Sequence, residues 1–86
     1  MGEFKLDELL DLTRNHAGEP DDVDLDERIV DVMFEHLGYD SVALLEVLSQ
    51  IRSSYGIDLS DDVMNRNRTP REVLDAVNAV IQRRGK

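Results

Sequence analysis

The chain has 86 residues, with 10 Lys and Arg against 19 Asp and Glu, for a formal net charge of −9. That length permits one small domain spanning residues 1–86, and an apolar fraction of 41% is enough to give it a core. The absence of Cys excludes a disulfide framework, a zinc–thiolate centre and a thiol nucleophile. The acid excess argues against binding nucleic-acid phosphates, and no apolar run approaches the roughly 20 residues of a membrane span. The opening Met1-Gly2-Glu3-Phe4 is acidic, so no signal peptide is expected, and Leu6 stands where a myristoylation signal has Ser or Thr. A soluble, cytoplasmic, monomeric domain with basic partners is the expectation.

Charge is unevenly spread: residues 1–40 hold 13 acids and 3 bases, 41–64 hold 4 and 1, and 65–86 hold 2 and 6. An acidic front and a basic tail therefore share one unit. Helical periodicity predicts the first element over about 5–17, where Leu6, Leu9, Leu10, Thr13 and Ala17 fall on one stripe and Gly18 stops it. Asp7 and Glu8 in its first turn, and Arg14 and His16 near its end, suit the helix dipole.

From Glu19 to Asp40 runs a long connection with Pro20 and four Asp between positions 21 and 26. Its apolar residues Leu25, Ile29, Val32, Met33 and Leu37 fit either a short helix near 26–34 or a structured loop pressed on the core. A loop so long in so small a domain is usually functional.

A second helix is expected over 41–55, with Asp40 as N-cap and Gly56 as a left-handed stop. Leu44, Leu45, Leu48, Ile51 and Tyr55 make its expected core stripe. Val42 breaks the pattern, because it falls on the polar face with Glu46, Ser49, Gln50 and Ser53. Ile57 and Leu59 then lie in an extended linker, and Ser60-Asp61-Asp62-Val63 predicts a short third helix over about 60–65. Thr69-Pro70-Arg71-Glu72 is a capping box with Pro at the first helical position, opening a helix over about 70–83. Its stripe is Val73, Leu74, Val77, Val80 and Ile81. Three longer helices, one short one, a long first loop and no strand pattern predict an all-α antiparallel four-helix bundle.

Chemistry has few places to reside. A Ser41–His36–Asp40 triad lacks the strand-to-helix elbow and oxyanion loop that such a nucleophile needs, so no catalytic residue is assigned. Asp22, Asp24 and Asp26 match the first three ligands of a calcium loop, but Glu27 replaces its Gly and Met33 its twelfth-position Glu; no metal site is assigned. The remaining candidate is Gly38-Tyr39-Asp40-Ser41-Val42-Ala43-Leu44-Leu45-Glu46. There a hydroxyl sits at the first residue of a helix, beside unpartnered amides whose dipole favours a phosphoryl group.

Gly-Tyr-Asp-Ser, an apolar residue and then Leu44-Leu45-Glu46 resembles the phosphopantetheine attachment motif of acyl carrier proteins. Val42 stands where that motif usually has Leu or Met. Tyr55-Gly56-Ile57-Asp58-Leu59-Ser60-Asp61-Asp62-Val63 and Thr69-Pro70-Arg71-Glu72-Val73-Leu74-Asp75 extend the likeness from Leu6 to Ile81. Their order and spacing resemble the free-standing carriers of type II aromatic polyketide synthases.

The resemblance implies a four-helix carrier fold, with loop rather than helix over 19–40. It implies that a phosphopantetheinyl transferase, using coenzyme A and magnesium, attaches 4′-phosphopantetheine to Ser41, so that the working thiol comes from the prosthetic group. Further partners would be a ketosynthase with its chain-length factor, a malonyl transferase, a ketoreductase and an aromatase or cyclase. Fast, weak docking suits exposed acids meeting basic patches. Asp40, Glu46, Asp61 and Asp62 are the expected acidic contacts, with Val42 as an apolar contact beside the arm. Asn78 lies off the centre of its helix's stripe and needs hydrogen-bond partners, either within the bundle or, together with Arg71, among the carbonyls of a poly-β-ketone chain. The alternatives are a carrier of fatty-acid or peptide synthesis, or an acidic helical adaptor without a prosthetic group.

Overall fold

A computed structural model describes residues 3–18 and 25–84. Met1, Gly2, Glu19, Pro20, Asp22 and Asp24, named above, lie outside the described residues. The chain forms α1 (Leu6–Ala17), α2 (Ser41–Tyr55) and α3 (Pro70–Arg84), with single 3-10 turns at Glu27–Ile29 and Asp61–Val63. Among the described residues there is no strand.

The α1 stripe buries Leu9, Leu10 and Thr13, and the Thr13 hydroxyl donates to Leu9 O at 2.8 Å, so its burial leaves no polar atom unpaired. The Gly18 N–H closes the helix on Arg14 O at 3.2 Å. In α2 the buried residues are Leu44, Val47, Leu48 and Ile51, an i, i+3, i+4, i+7 set. This corrects the expected stripe at one place: Leu45 is 44% exposed, and Val47, not assigned to the core, is fully buried. Leu45 lies one step, about 100°, round the helix from Leu44 and so falls beyond the face that α1 covers.

Antiparallel packing of α1 on α2 is fixed at both ends. At one end the Phe4 ring meets Tyr55 edge-on with centroids 5.3 Å apart, and the Tyr55 hydroxyl donates to the Glu8 carboxylate. At the other, the Tyr39 hydroxyl donates to Gly18 O at 2.7 Å.

From Leu25 on, the described part of the long connection is a structured loop with a single 3-10 turn at Glu27–Ile29 rather than a helix over 26–34. Asp26 caps its 3-10 turn by accepting from the Arg28 N–H at 2.9 Å, and the chain then crosses to the start of α3. Arg71 N donates to Val30 O at 2.9 Å, Phe34 N to Arg68 O at 3.0 Å and Glu35 N to Arg66 O at 2.9 Å. These bonds satisfy the loop backbone while Leu25, Ile29, Phe34 and Leu37 are buried.

The short third helix expected over 60–65 is a single 3-10 turn. Ser60 caps it by accepting from Asp62 N at 3.2 Å, but Met64 is already extended (φ −134, ψ 109) and fully buried. Pulling the Met64 side chain into the core ends the helix after one turn. The capping box forms as expected: Thr69 N donates to Glu72 Oε1 at 2.9 Å, and Glu72 N to Thr69 Oγ1 at 3.2 Å. Val73 and Val77 of α3 are buried, while Leu74, Val80 and Ile81 pack partly buried against the core.

Candidate functional site

Ser41 is the first residue of α2 and is exposed. The segment before it is held by its alternate side chains: Leu37 and Tyr39 are buried, and the Tyr39 ring meets Phe34 edge-on at 6.3 Å. Gly38 turns the chain between them at φ +88, a conformation that suits glycine. Asp40 and Ser41 then point outward. The Asp40 carboxylate accepts from Ala43 N at 2.8 Å and its carbonyl from Leu44 N at 3.2 Å. That leaves the Ser41 and Val42 amides at the open, positive end of a 15-residue helix, beside a hydroxyl with no hydrogen bond among the described residues. A phosphodiester on Ser41 Oγ fits this place: solvent access, no side chain in the way and favourable local dipoles.

Val42 and Leu45 are exposed to 75% and 44%, the two exposed large apolar side chains among the described residues. They lie three residues apart on one face, with Glu46 a turn beyond Val42. Glu46 is exposed and has no ion-pair partner among the described residues. The sequence placed Val42 and Glu46 on this face but assigned Leu45 to the core; the α1–α2 contact decides that point, and no local signal carries it.

The two acids of the 3-10 turn differ. Asp61 pairs with Arg52 Nη2 at 2.8 Å, eleven residues along α2 from Ser41, and the same guanidinium donates from Nε to Leu59 O at 3.0 Å. Asp62 gives its backbone carbonyl to Arg68 Nε at 3.0 Å, while its exposed carboxylate has no partner among the described residues. The structure therefore brings Asp40, Ser41, Val42 and Glu46 together and ties Asp61 elsewhere.

Arg71 and Asn78 line one cleft of about 340 Å³, together with Lys5, Leu6, Val30 and Leu74. Arg71 pairs with Asp31, Nε to Oδ1 at 2.7 Å, and its guanidinium holds that carboxyl below its ordinary range while its own pKa rises. The Asn78 carboxamide accepts from Phe4 N at 2.6 Å and donates to Phe4 O at 3.0 Å.

His36 is exposed and makes no hydrogen bond to Ser41 or Asp40 among the described residues. No group of three His, Asp or Glu among those residues is placed to hold a metal ion. No helix is long and apolar enough to cross a membrane among the residues described.

Comparison with known proteins agrees with this geometry. Residues 7–77 match the family described as Phosphopantetheine attachment site. The chain is 46% identical over 65 residues to the actinorhodin polyketide synthase acyl carrier protein of Streptomyces coelicolor, covering 76% of each. It is 46% identical over 78 residues to the granaticin polyketide synthase acyl carrier protein of Streptomyces violaceoruber, covering 91% of this chain and 92% of that one. The solved structure of the 3,5-dioxohexyl form of the actinorhodin carrier, a triketide mimic, superposes with a TM-score of 0.80 at 39% identity over 95% of both chains. The chain belongs to the acyl carrier proteins of type II polyketide synthases. Such proteins are non-catalytic carriers whose prosthetic group is covalent 4′-phosphopantetheine, and they work with the enzymes of a synthase.

Proposed function

We propose that Ser41 is the attachment point and that the protein shuttles malonyl and growing polyketide chains between the enzymes of a bacterial type II synthase. The observation that carries this is the exposed Ser41 hydroxyl at the open N-terminus of α2, inside the matched family region. In the loading reaction Ser41 Oγ bonds to the pantetheine-side phosphorus of coenzyme A. The bond from that phosphorus to the adenosine-side phosphate breaks, and the hydroxyl proton leaves to a base of the transferase. The bound group supplies a terminal thiol that carries the chains as thioesters.

The chain's own residues hold the attachment point and present a docking surface. Asp40 fixes the start of α2, and Val42 and Leu45 offer a small apolar contact with Glu46 a turn beyond, an acid that suits Arg or Lys patches, while Asp62 on the 3-10 turn extends the acidic surface. Asp61 adds negative charge but is shared with Arg52. The partners in this reading are the transferase, a ketosynthase with its chain-length factor, a malonyl transferase, a ketoreductase and an aromatase or cyclase, all in the cytoplasm with a monomeric carrier. The 3-10 turn Asp61–Val63 takes the place of the short third helix of a four-helix carrier bundle. Arg71 and Asn78, on one cleft, are the contacts for polar cargo.

Loading is tested by supplying malonyl-coenzyme A, a malonyl transferase and a ketosynthase pair to the phosphopantetheinylated protein. Polyketide product that depends on this carrier supports the reading, and malonyl loading without elongation contradicts it. Elongation by a fatty-acid ketosynthase alone favours the fatty-acid alternative.

A further inference from the structure

Phe4 lies two residues before α1, outside any helical repeat, yet it is 1% exposed and packs edge-on against Tyr55. Its backbone is held by a side chain 74 residues away. The N–H donates to Asn78 Oδ1 at 2.6 Å and the carbonyl accepts from Asn78 Nδ2 at 3.0 Å, so one carboxamide engages both polar groups of one residue. Glu3, Phe4 and Lys5 thereby form one wall of the 340 Å³ cleft whose other side is Val30, Leu74 and Asn78. Arg71, another donor on the cleft, is turned onto Asp31. The Asn78 and Arg71 donors are thus spent on the protein itself, and the Asn78 bonds are only partly buried.

We propose that residues Glu3–Lys5 are a releasable strap, and that a keto-bearing acyl chain undocks it by taking the Asn78 Nδ2 hydrogen bond from the Phe4 carbonyl. The proposal rests on the reading of Arg71 and Asn78 as cargo contacts. A ketone oxygen replaces the Phe4 carbonyl as acceptor for Asn78 Nδ2, while the freed Phe4 groups and the Asn78 Oδ1 that loses the Phe4 N–H turn to water, which the partly buried site admits. A saturated acyl chain has no acceptor at that depth and leaves the strap closed. Strap docking and keto-chain binding then compete, and by linkage a weakened strap strengthens cargo docking by the factor by which cargo weakens the strap.

The test is amide hydrogen exchange, with chemical shifts, on the full chain phosphopantetheinylated and loaded with a 3,5-dioxohexyl or a hexanoyl group. The dioxo chain is expected to move the Val30, Leu74 and Asn78 resonances and to speed Phe4 amide exchange about tenfold, while hexanoyl leaves Phe4 protected. Asn78→Asp keeps the acceptor for the Phe4 N–H and removes the donor to its carbonyl. It is expected to speed Phe4 exchange before loading and to abolish the difference between the two cargoes. Asn78→Ala gives the same readout where it folds. Movement of Val30 and Leu74 with Phe4 still protected overturns the strap and leaves the cleft reading intact. No movement at any cleft residue overturns both, and equal opening by hexanoyl overturns the keto-specific exchange.

Discussion

The Asp40 carboxylate accepts the Ala43 amide at 2.8 Å, and that bond makes Ser41 the first residue of α2 rather than part of the loop. Removing it in Asp40→Ala is expected to cost about 1 kcal/mol, a fall in Tm of about 4–8 °C for a domain this small. Asp40→Asn keeps a capping oxygen and loses the charge. Thermal melts of the two variants, set beside their rates of phosphopantetheinylation, separate the capping role from the docking role: a slow but stable Asp40→Asn assigns the charge to partner recognition.

On α2, Leu44 and Val42 are two residues apart and have opposite expected costs. Leu44 is fully buried, so Leu44→Ala is expected to destabilise by about 2–5 kcal/mol. Val42 is 75% exposed, so Val42→Ser should change stability by no more than about 0.5 kcal/mol while weakening productive encounters with the transferase and ketosynthase. Denaturant melts check the first pair of values, and KM for the carrier as substrate checks the last.

Arg52 ties the end of α2 to the linker through Leu59 O and Asp61. Arg52→Ala is expected to cost about 1–3 kcal/mol, because it leaves a partly buried carbonyl without its donor. Asp61→Asn should cost under about 1 kcal/mol, since that side of the contact is an exposed ion pair. Equal losses in urea melts would place the stability in the ion pair instead.

Two titrations have a defined sign. The Arg71 hydrogen bond lowers the Asp31 pKa, so this pair contributes above the ordinary aspartate value near 3.8 and its contribution is lost as pH falls through the lower, folded value. Asp31 is exposed, and added salt should weaken the effect. Tyr55 titrates at about 12, raised first by burial and then by its hydrogen bond to Glu8. Its contribution is present below the ordinary phenol value and is lost as pH rises through about 12. Carboxyl and ring resonances followed against pH, with Arg71→Ala and Glu8→Gln as controls, should show Asp31 moving back up and Tyr55 partly back down.

Much of the fold was legible because helices announce themselves locally. Asp40, Gly56 and the Thr69–Glu72 box act within a few residues of where they stand: Asp40 opens α2, Gly56 closes it and the box opens α3. What was hidden depends on partners distant in sequence. Phe4 carries no periodic signal, and its burial comes from Tyr55 and Asn78. Leu45 and Val47 are equivalent to a local pattern, and the placement of α1 distinguishes them. Met64 ends the third element by entering a core that the other helices build. Ser41, Val42 and Glu46 were readable as an exposed group because they share one helix with a clear cap, whereas the pairing of Asp61 with Arg52 joins two elements and has no sequence signature.

The most direct measurement is the intact mass of the protein after incubation with coenzyme A, magnesium and a phosphopantetheinyl transferase, run beside Ser41→Ala. One added phosphopantetheine on the natural chain and none on the variant is the result predicted. A natural chain that stays unmodified, or a variant that still gains the group, would contradict the assignment of Ser41 as the tether.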